Sequence, residues 1–307
     1  MSMADKDGVI WLDGKLVPWR DAKVHVLTHT LHYGMGAFEG VRAYETDRGP
    51  AIFRLQDHNN RLFNSAKILS MAVPFSKQQV LDAQLAVIRE NQLPQAYIRP
   101  LVFYGSEGMG LRASNLSVHV AVAAWEWPSY MSPEALELGI KVRTSSYTRH
   151  HVNITMCKAK STGAYMNSML ALSEATSGGA DEALLLDNEG YVAEGSGENV
   201  FLVRDGVIYT PELTSCLDGI TRRTIIQLAE EQGYKVREKR LTRDEFYVAD
   251  EAFLTGTAAE VTPIRELDGR TIGEGKRGAI TEKLQTRYFD LVRGNSNEHQ
   301  EWLTFVS

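Results

Sequence analysis

Cysteine is scarce in this sequence. Only Cys157 and Cys216 are present, too few for a disulfide framework or a thiolate metal cage, and the usage of a reducing compartment. Long apolar runs are missing too. No stretch approaches the roughly 20 residues needed to span a bilayer, and MSMADKDGVIWLDG has acidic residues where a signal peptide needs a basic start and an apolar run. The expectation is a cytoplasmic protein with no membrane partner. Positive charge is not in excess either: 33 basic residues face 39 acidic ones, a net charge of -6. That balance offers no broad field for nucleic acid, although a small anion can still find a local positive site. No repeat or low-complexity tract is visible. Gly34, Gly36 and Gly40 in GMGAFEG do not keep dinucleotide-binding spacing and do not lead from a strand into a helix. His25, His29 and His32 in VHVLTHTLHYG meet metal-ligand rules only loosely, no cysteine is near, and the alternation of VHVLT suggests a strand, so no metal is expected.

What is present is a well-punctuated globular chain. With 307 residues and 43% hydrophobic content it can build more than one packed core. Asp13-Gly14, Asp205-Gly206 and Asp268-Gly269 sit between strand-like runs, a hairpin signal that predicts much antiparallel sheet. Ser76 with Gln79, and Thr242 with Glu245, form capping-box patterns that open helices, and the helix starting at Ile220 meets a stop at Gly233. AYIRPLVFYG and SVHVAVAAWEW read as adjacent strands closing a first α+β unit. Two prolines in WPSYMSPEALE then break the pattern. The predicted organisation is a small α+β domain over 1–128, a linker over 129–135 and a large α+β domain over 136–307 with three helical patterns.

Three segments can carry chemistry. In MCKAKSTGAYMNSMLALSEA, Lys160 lies among small residues ahead of an apolar helical pattern, where a desolvated amine can form a Schiff base and leave room for a planar cofactor. Lys158 competes with it, and a surface lysine is the plainer alternative for either. In YVAEGSGENVFLV, Glu194 and Glu198 flank two glycines before a strand; a carboxylate there can hold a pyridine nitrogen protonated, or simply belong to an acidic turn. In TPELTSCLDGITRRTI, Leu217, Gly219 and Ile220 enter a helix whose first N–H groups can bind phosphate. LTGTAAEVTP adds Thr255 and Thr257 at a strand end, and Arg61 offers a planar donor to a phosphate or a helix-surface salt bridge.

EGSGENVF, IYT and LDGITR, in this order and spacing, resemble the signature of the class IV aminotransferases. HVLTHTLHYGMGAFEGVRAYE, the Arg61 segment, YIRPLVF, the Lys160 segment and TGTAAEVTP are similar, in sequence order, to the branched-chain amino acid aminotransferases of that family. The resemblance covers nearly the whole chain. It implies a two-domain fold type IV architecture with pyridoxal phosphate held between the domains. It implies Lys160 as the Schiff-base lysine, because Tyr165 stands five residues on, whereas Lys158 has no such partner. Glu194 is then expected on the pyridine nitrogen, Tyr165 on the ring oxygen and Leu217 against the ring face. Arg61, Ile220, Thr221 and Thr257 are expected at the phosphate. The substrate carboxylate is expected near Thr257, Ala258 and Tyr97, with Tyr33, Phe38, Trp127 and Tyr130 walling an apolar pocket and Arg99 meeting the second carboxylate of glutamate. The loop around Met109 and Gly110 resembles one that reaches into a neighbouring subunit's site, implying a homo-oligomer, a dimer or a hexamer.

The implied reaction is ping-pong amino transfer between leucine, isoleucine or valine and 2-oxoglutarate, with Lys160 as base. Two rivals share the fold, a D-amino acid aminotransferase and an aminodeoxychorismate lyase, and Tyr97, Arg99 and HYGMGAFEG separate the chain from them. A pyridoxal phosphate binding module without turnover can lack the base or the ring carboxylate, and this chain has both.

Overall fold

The structure is a computed structural model and describes residues 2–112, 114–127 and 131–306. The chain divides into two compact units: Met1–Pro128 with Ala159–Ala164 and Leu291–Ser307, and Ser129–Lys158 with Tyr165–Asp290. Tyr130 lies outside the described residues.

The first unit contains β1 (Val9–Leu12), β2 (Lys15–Pro18), α1 (His29–Tyr33), β3 (Gly36–Phe38), β4 (Val41–Tyr44), β5 (Ala51–Phe53), α2 (Leu55–Ile68), α3 (Lys77–Glu90), β6 (Ala96–Tyr104) and β7 (Val118–Trp125). A late strand, Leu303–Phe305, joins the same sheet beside β5. From there the order runs β5-β4-β6-β7-β1-β2, with β3 also on β6. The predicted β6 and β7 pair antiparallel from Tyr97 opposite Trp125 to Tyr104 opposite Val118. α2 and α3 bury Leu62, Ala66, Val80 and Val87 against Val41, Ile98, Val102 and Val122 of the sheet, the removal of apolar surface from water that drives this packing. Ser76 caps α3 as its pattern predicts: Ser76 Oγ accepts the Gln79 N–H at 3.2 Å, and the Gln79 side chain accepts the Ser76 N–H at 2.9 Å.

Residues 24–28 differ from expectation. They form no strand; His25 Nδ1 accepts the Leu27 N–H at 3.1 Å and the His25 carbonyl accepts the Thr28 N–H at 2.9 Å, closing a turn into α1. Local bonds of this kind compete with a ladder, and here they win.

The second unit contains α4 (Pro133–Leu138), β8 (Ile140–Thr144), α5 (Tyr165–Ser177), β9 (Glu182–Leu186), β10 (Val192–Gly195), β11 (Asn199–Arg204), β12 (Val207–Thr210), α6 (Ile220–Glu231), β13 (Lys235–Glu238), α7 (Arg243–Tyr247), β14 (Glu251–Gly256), β15 (Glu260–Leu267), β16 (Arg270–Thr271) and the start of α8 (Ala279–Val292). Pro133–Ala135, within the stretch read as linker, are the first turn of α4, because Ser132 Oγ caps the Ala135 N–H at 3.1 Å and proline suits the first helical position. The sheet order is β10-β9-β8-β15-β14-β11-β12-β13, with β16 on β15. Asp205-Gly206 and Asp268-Gly269 make their predicted hairpins. The pairs β8 with β9, β8 with β15, and β12 with β13 are parallel. Parallel neighbours need a crossover rather than a tight turn, so α5 and α6 supply what no hairpin dipeptide could announce.

Candidate active site

Lys160 stands in an irregular stretch just before α5, and a segment without a ladder must satisfy its own backbone polar groups. It does so within the first unit. The Lys160 carbonyl accepts the Phe38 N–H at 3.0 Å, its N–H donates to Ser65 Oγ of α2 at 3.0 Å, and Ser161 bridges to Ala37 of β3. The backbone is thus pinned between β3 and α2 while the half-buried side chain sets Nζ 5.0 Å from the centre of the Phe38 ring. Lys158 is placed differently. It is exposed, and its ammonium donates to the carbonyls of Leu213 and Cys216, the latter at 2.9 Å.

One face of α2 serves two purposes. His58, Arg61 and Ser65 lie three and four residues apart and so project together. Ser65 holds Lys160; His58 and Arg61 hold Glu39, which follows Phe38 directly. Arg61 forks onto Glu39 through Nε at 2.6 Å and Nη2 at 2.9 Å, and His58 Nδ1 lies 2.8 Å from Oε2. A carboxylate only accepts, so His58 donates from Nδ1. The Glu39 side chain is fully buried, and burial pushes its carboxyl up, yet the Arg61 charge and the hydrogen bonds overcome that and hold it well below the usual carboxylate range. Burial drives His58 the other way and keeps it neutral. Arg61, expected at a phosphate, is therefore oriented by a buried carboxylate.

Aromatic side chains gather around Arg99. Its guanidinium lies 4.8 Å from the Phe38 ring centre and 5.3 Å from that of Tyr97, and Nη2 donates to Tyr97 Oη at 3.3 Å. Arg99 Nε is buried with no hydrogen-bond partner among the described residues. Tyr97 also meets Trp127 edge to face, with centroids 4.5 Å apart. Gly40 is required beside it, since a Cβ at that position would fall 1.9 Å from Tyr97 Oη. Tyr33 sits at the end of α1, where its Oη accepts the Gly110 N–H at 3.2 Å.

In the second unit the other predicted segments converge on Leu217. Glu194 Oε2 accepts the Leu217 N–H at 3.2 Å, and Asn199 Nδ2 donates to the Leu217 carbonyl at 2.9 Å, so EGSGEN and the turn before α6 are stitched together. Glu194, buried at the end of β10, also faces Arg149 Nε at 2.7 Å. This contact is a charge pair rather than an aligned hydrogen bond. Gly219 starts α6 without any side-chain cap and lies so close to Asn199 that a Cβ would meet Oδ1 at 1.9 Å. The first N–H groups of α6, at buried Ile220 and Thr221, lie at the positive end of the helix dipole, an arrangement that suits phosphate. Thr257 and Ala258 are half-buried in the turn from β14 to β15, two and three residues beyond Thr255, whose Oγ1 is buried without a partner among the described residues. Tyr165 is the half-buried first residue of α5.

A family model for amino-transferase class IV matches residues 36–267, which contain nearly all of these groups. The chain belongs to that family. It is 70% identical over 306 residues, covering 100% of both chains, to a branched-chain-amino-acid aminotransferase of Pseudomonas aeruginosa. Two solved structures are similar over 98% of this chain. The branched-chain amino acid aminotransferase of Escherichia coli, covered over 100% of its length, has a TM-score of 0.96 at 46% identity. That of Thermobaculum terrenum, in its PLP-form and covered over 99%, has a TM-score of 0.92 at 34% identity.

For this class IV aminotransferase the first unit brings together Phe38, Tyr97, Arg99, Trp127 and Lys160, and the second brings together Glu194, Leu217 and the start of α6. Sequence reasoning missed the groups that hold them. His58 and Ser65 carried a signal, buried polar residues at helical spacing beside Leu62 and Ala66, and Glu39 carried another, a glutamate inside an apolar run. Arg149 carried none, standing in the irregular TSSYTRHH.

The buried Glu39 cluster has a pH signature. Its carboxyl is depressed in the folded state, so its contribution is full at neutral pH and is lost as pH falls through and below the ordinary glutamate value of about 4.3. Glu39→Gln strands Arg61 and should destabilise the protein by about 3–5 kcal/mol at pH 7. Urea unfolding at pH 7 and at stepwise lower pH should show the gap between the two proteins narrowing with acid; a gap independent of pH would exclude an ionised Glu39.

Proposed function

We propose that this chain is a branched-chain amino acid aminotransferase. It transfers the amino group reversibly between L-leucine, L-isoleucine or L-valine and 2-oxoglutarate, through pyridoxal phosphate, in a ping-pong sequence. Full-length identity to the Pseudomonas aeruginosa enzyme carries this reading. The residues also fit the cofactor: a lysine with a pinned backbone, a helix N-terminus without a side-chain cap, a buried carboxylate, and Arg99 Nε and Thr255 Oγ1 buried without partners among the described residues.

In this proposal Lys160, Tyr165 and Leu217 would hold the cofactor's ring, and Arg61, Ile220, Thr221 and Thr257 its phosphate. When bound, the cofactor supplies an electron sink conjugated to the substrate's α-carbon. Glu194 maintains that sink by keeping the ring nitrogen protonated. The Lys160 amine would serve as the base that takes the substrate's α-proton and gives it back. Tyr97, Thr257 and Ala258 receive the substrate's α-carboxylate. Tyr33, Phe38 and Trp127, with Tyr130, give the side chain an apolar wall, and Arg99 meets the distal carboxylate of glutamate. The absence of a hydrogen-bond partner on Arg99 Nε supports that last assignment.

A small domain over 1–128, a link over 129–135 and a large domain over 136–307 belong to the same reading, as does a cytoplasmic location. No helix among the described residues is long and apolar enough to cross a membrane. The working form is a homo-oligomer, a dimer or a hexamer. Val26, Leu31 and Leu111 are 70%, 64% and 90% exposed, on segments tied together by His29 and Tyr33 contacts to Gly110, and an apolar surface of this kind favours a protein partner.

Purified holoprotein should be yellow, bleach on addition of leucine and recover with 2-oxoglutarate; cofactor absorbance that leucine leaves unchanged would refute the function. Arg99→Met should impair the glutamate half-reaction by about 2–5 kcal/mol, on the order of 30-fold to several-thousand-fold, because a buried carboxylate loses its cation. Leucine should lose far less. Single-turnover measurements on each amino acid decide it, since steady-state rates mix the halves; equal losses would place Arg99 at the α-carboxylate or in the scaffold.

A further inference from the structure

We infer that Arg149 is a positioning residue that keeps the Glu194 carboxylate ionised and aimed, so that the proton it shares with the ring nitrogen stays on nitrogen. This rests on the reading of Glu194 as the ring-nitrogen partner. Glu194 and Arg149 are 4% and 7% exposed, with Nε and Oε1 2.7 Å apart. A carboxylate this buried is strongly disfavoured in its charged form unless a cation stands beside it, and without one it takes up the proton itself.

The surroundings leave that task to Arg149. Among the described residues, the thiols of Cys157 and Cys216 feel the Glu194 charge; both are pushed up first by burial, Cys216 to about 12, so both stay neutral. Two cations that act on Cys216, Lys158 and Arg222, are engaged elsewhere. Lys158 donates to the Leu213 and Cys216 carbonyls, and Arg222 donates to the Pro211 carbonyl at 3.0 Å and to Glu238 at 2.7 Å. Arg149 is itself oriented: Nη1 donates to Ser168 Oγ at 3.2 Å and to Asn167 Oδ1 at 3.4 Å on α5, and its N–H donates to the Leu186 carbonyl at 2.8 Å. With Oε1 against Arg149 and Oε2 accepting, among the described residues, the Leu217 N–H alone at 3.2 Å, the carboxylate keeps acceptor capacity for one more donor.

The test uses holoenzyme loaded with ring-15N pyridoxal phosphate and reads the nitrogen shift, which reports whether that atom carries the proton. Wild type and Arg149→Lys should show a protonated nitrogen at pH 7. In Arg149→Met the shift should move toward the neutral-ring value, and kcat/KM should fall about 10- to 100-fold, the usual effect of removing a group that orients a functional ligand. A second readout needs no cofactor: the Leu217 amide should exchange hydrogen faster in apo Arg149→Met than in apo Arg149→Lys, because Glu194 no longer holds it. If Arg149→Met does not fold, Arg149→Gln, which is polar but has no charge, carries the same test. A protonated nitrogen and near-normal turnover in the neutral variants would overturn the inference. Glu194→Gln separates the two ideas: a nitrogen still protonated in that variant would defeat the reading of Glu194 whatever Arg149 does.

Discussion

Two backbone hydrogen bonds, from Phe38 N–H to the Lys160 carbonyl and from Lys160 N–H to Ser65 Oγ, are the constraint on which the first unit's chemistry depends. A reactive amine on an irregular segment would ordinarily wander with it. Here the segment is stitched to β3 on one side and α2 on the other, so the backbone from which the amine projects inherits the rigidity of a sheet and a helix. The same two elements carry the rest of the group. β3 ends in Phe38, whose ring lies under both Lys160 and Arg99, and α2 carries Arg61 one turn before Ser65.

Rigidity of this kind brings buried charge, and both units handle it alike. Glu39 is satisfied by Arg61 and His58; Glu194 is satisfied by Arg149 and the Leu217 N–H. Each carboxylate is buried beside a cation, and each partner is thereby fixed in direction. The working residues are thus oriented by residues one step removed from the chemistry, and stability and function are drawn from the same contacts.

Much of this was legible in the sequence where local rules govern. The Asp-Gly hairpins, the Ser76 and Thr242 capping boxes and the start of α6 at Ile220 all follow from chemistry within a few residues, and the β6–β7 pair from two strand-like runs that follow one another in the chain. Segment order and spacing were enough to identify the family. What stayed hidden is non-local. The parallel pairs depend on crossovers, and the Arg149 to Glu194 contact joins residues far apart in the chain, one of them in irregular surroundings. VHVLT misled because alternation alone cannot report that His25 folds back on Leu27.

The central claim is that the pinned lysine, Lys160, carries the cofactor, while Lys158 is engaged by backbone carbonyls. Borohydride reduction of the holoenzyme followed by peptide mass spectrometry tests it most directly. The account predicts a pyridoxyl group on Lys160 alone; finding it on Lys158 would contradict the account and shift the register of the entire site.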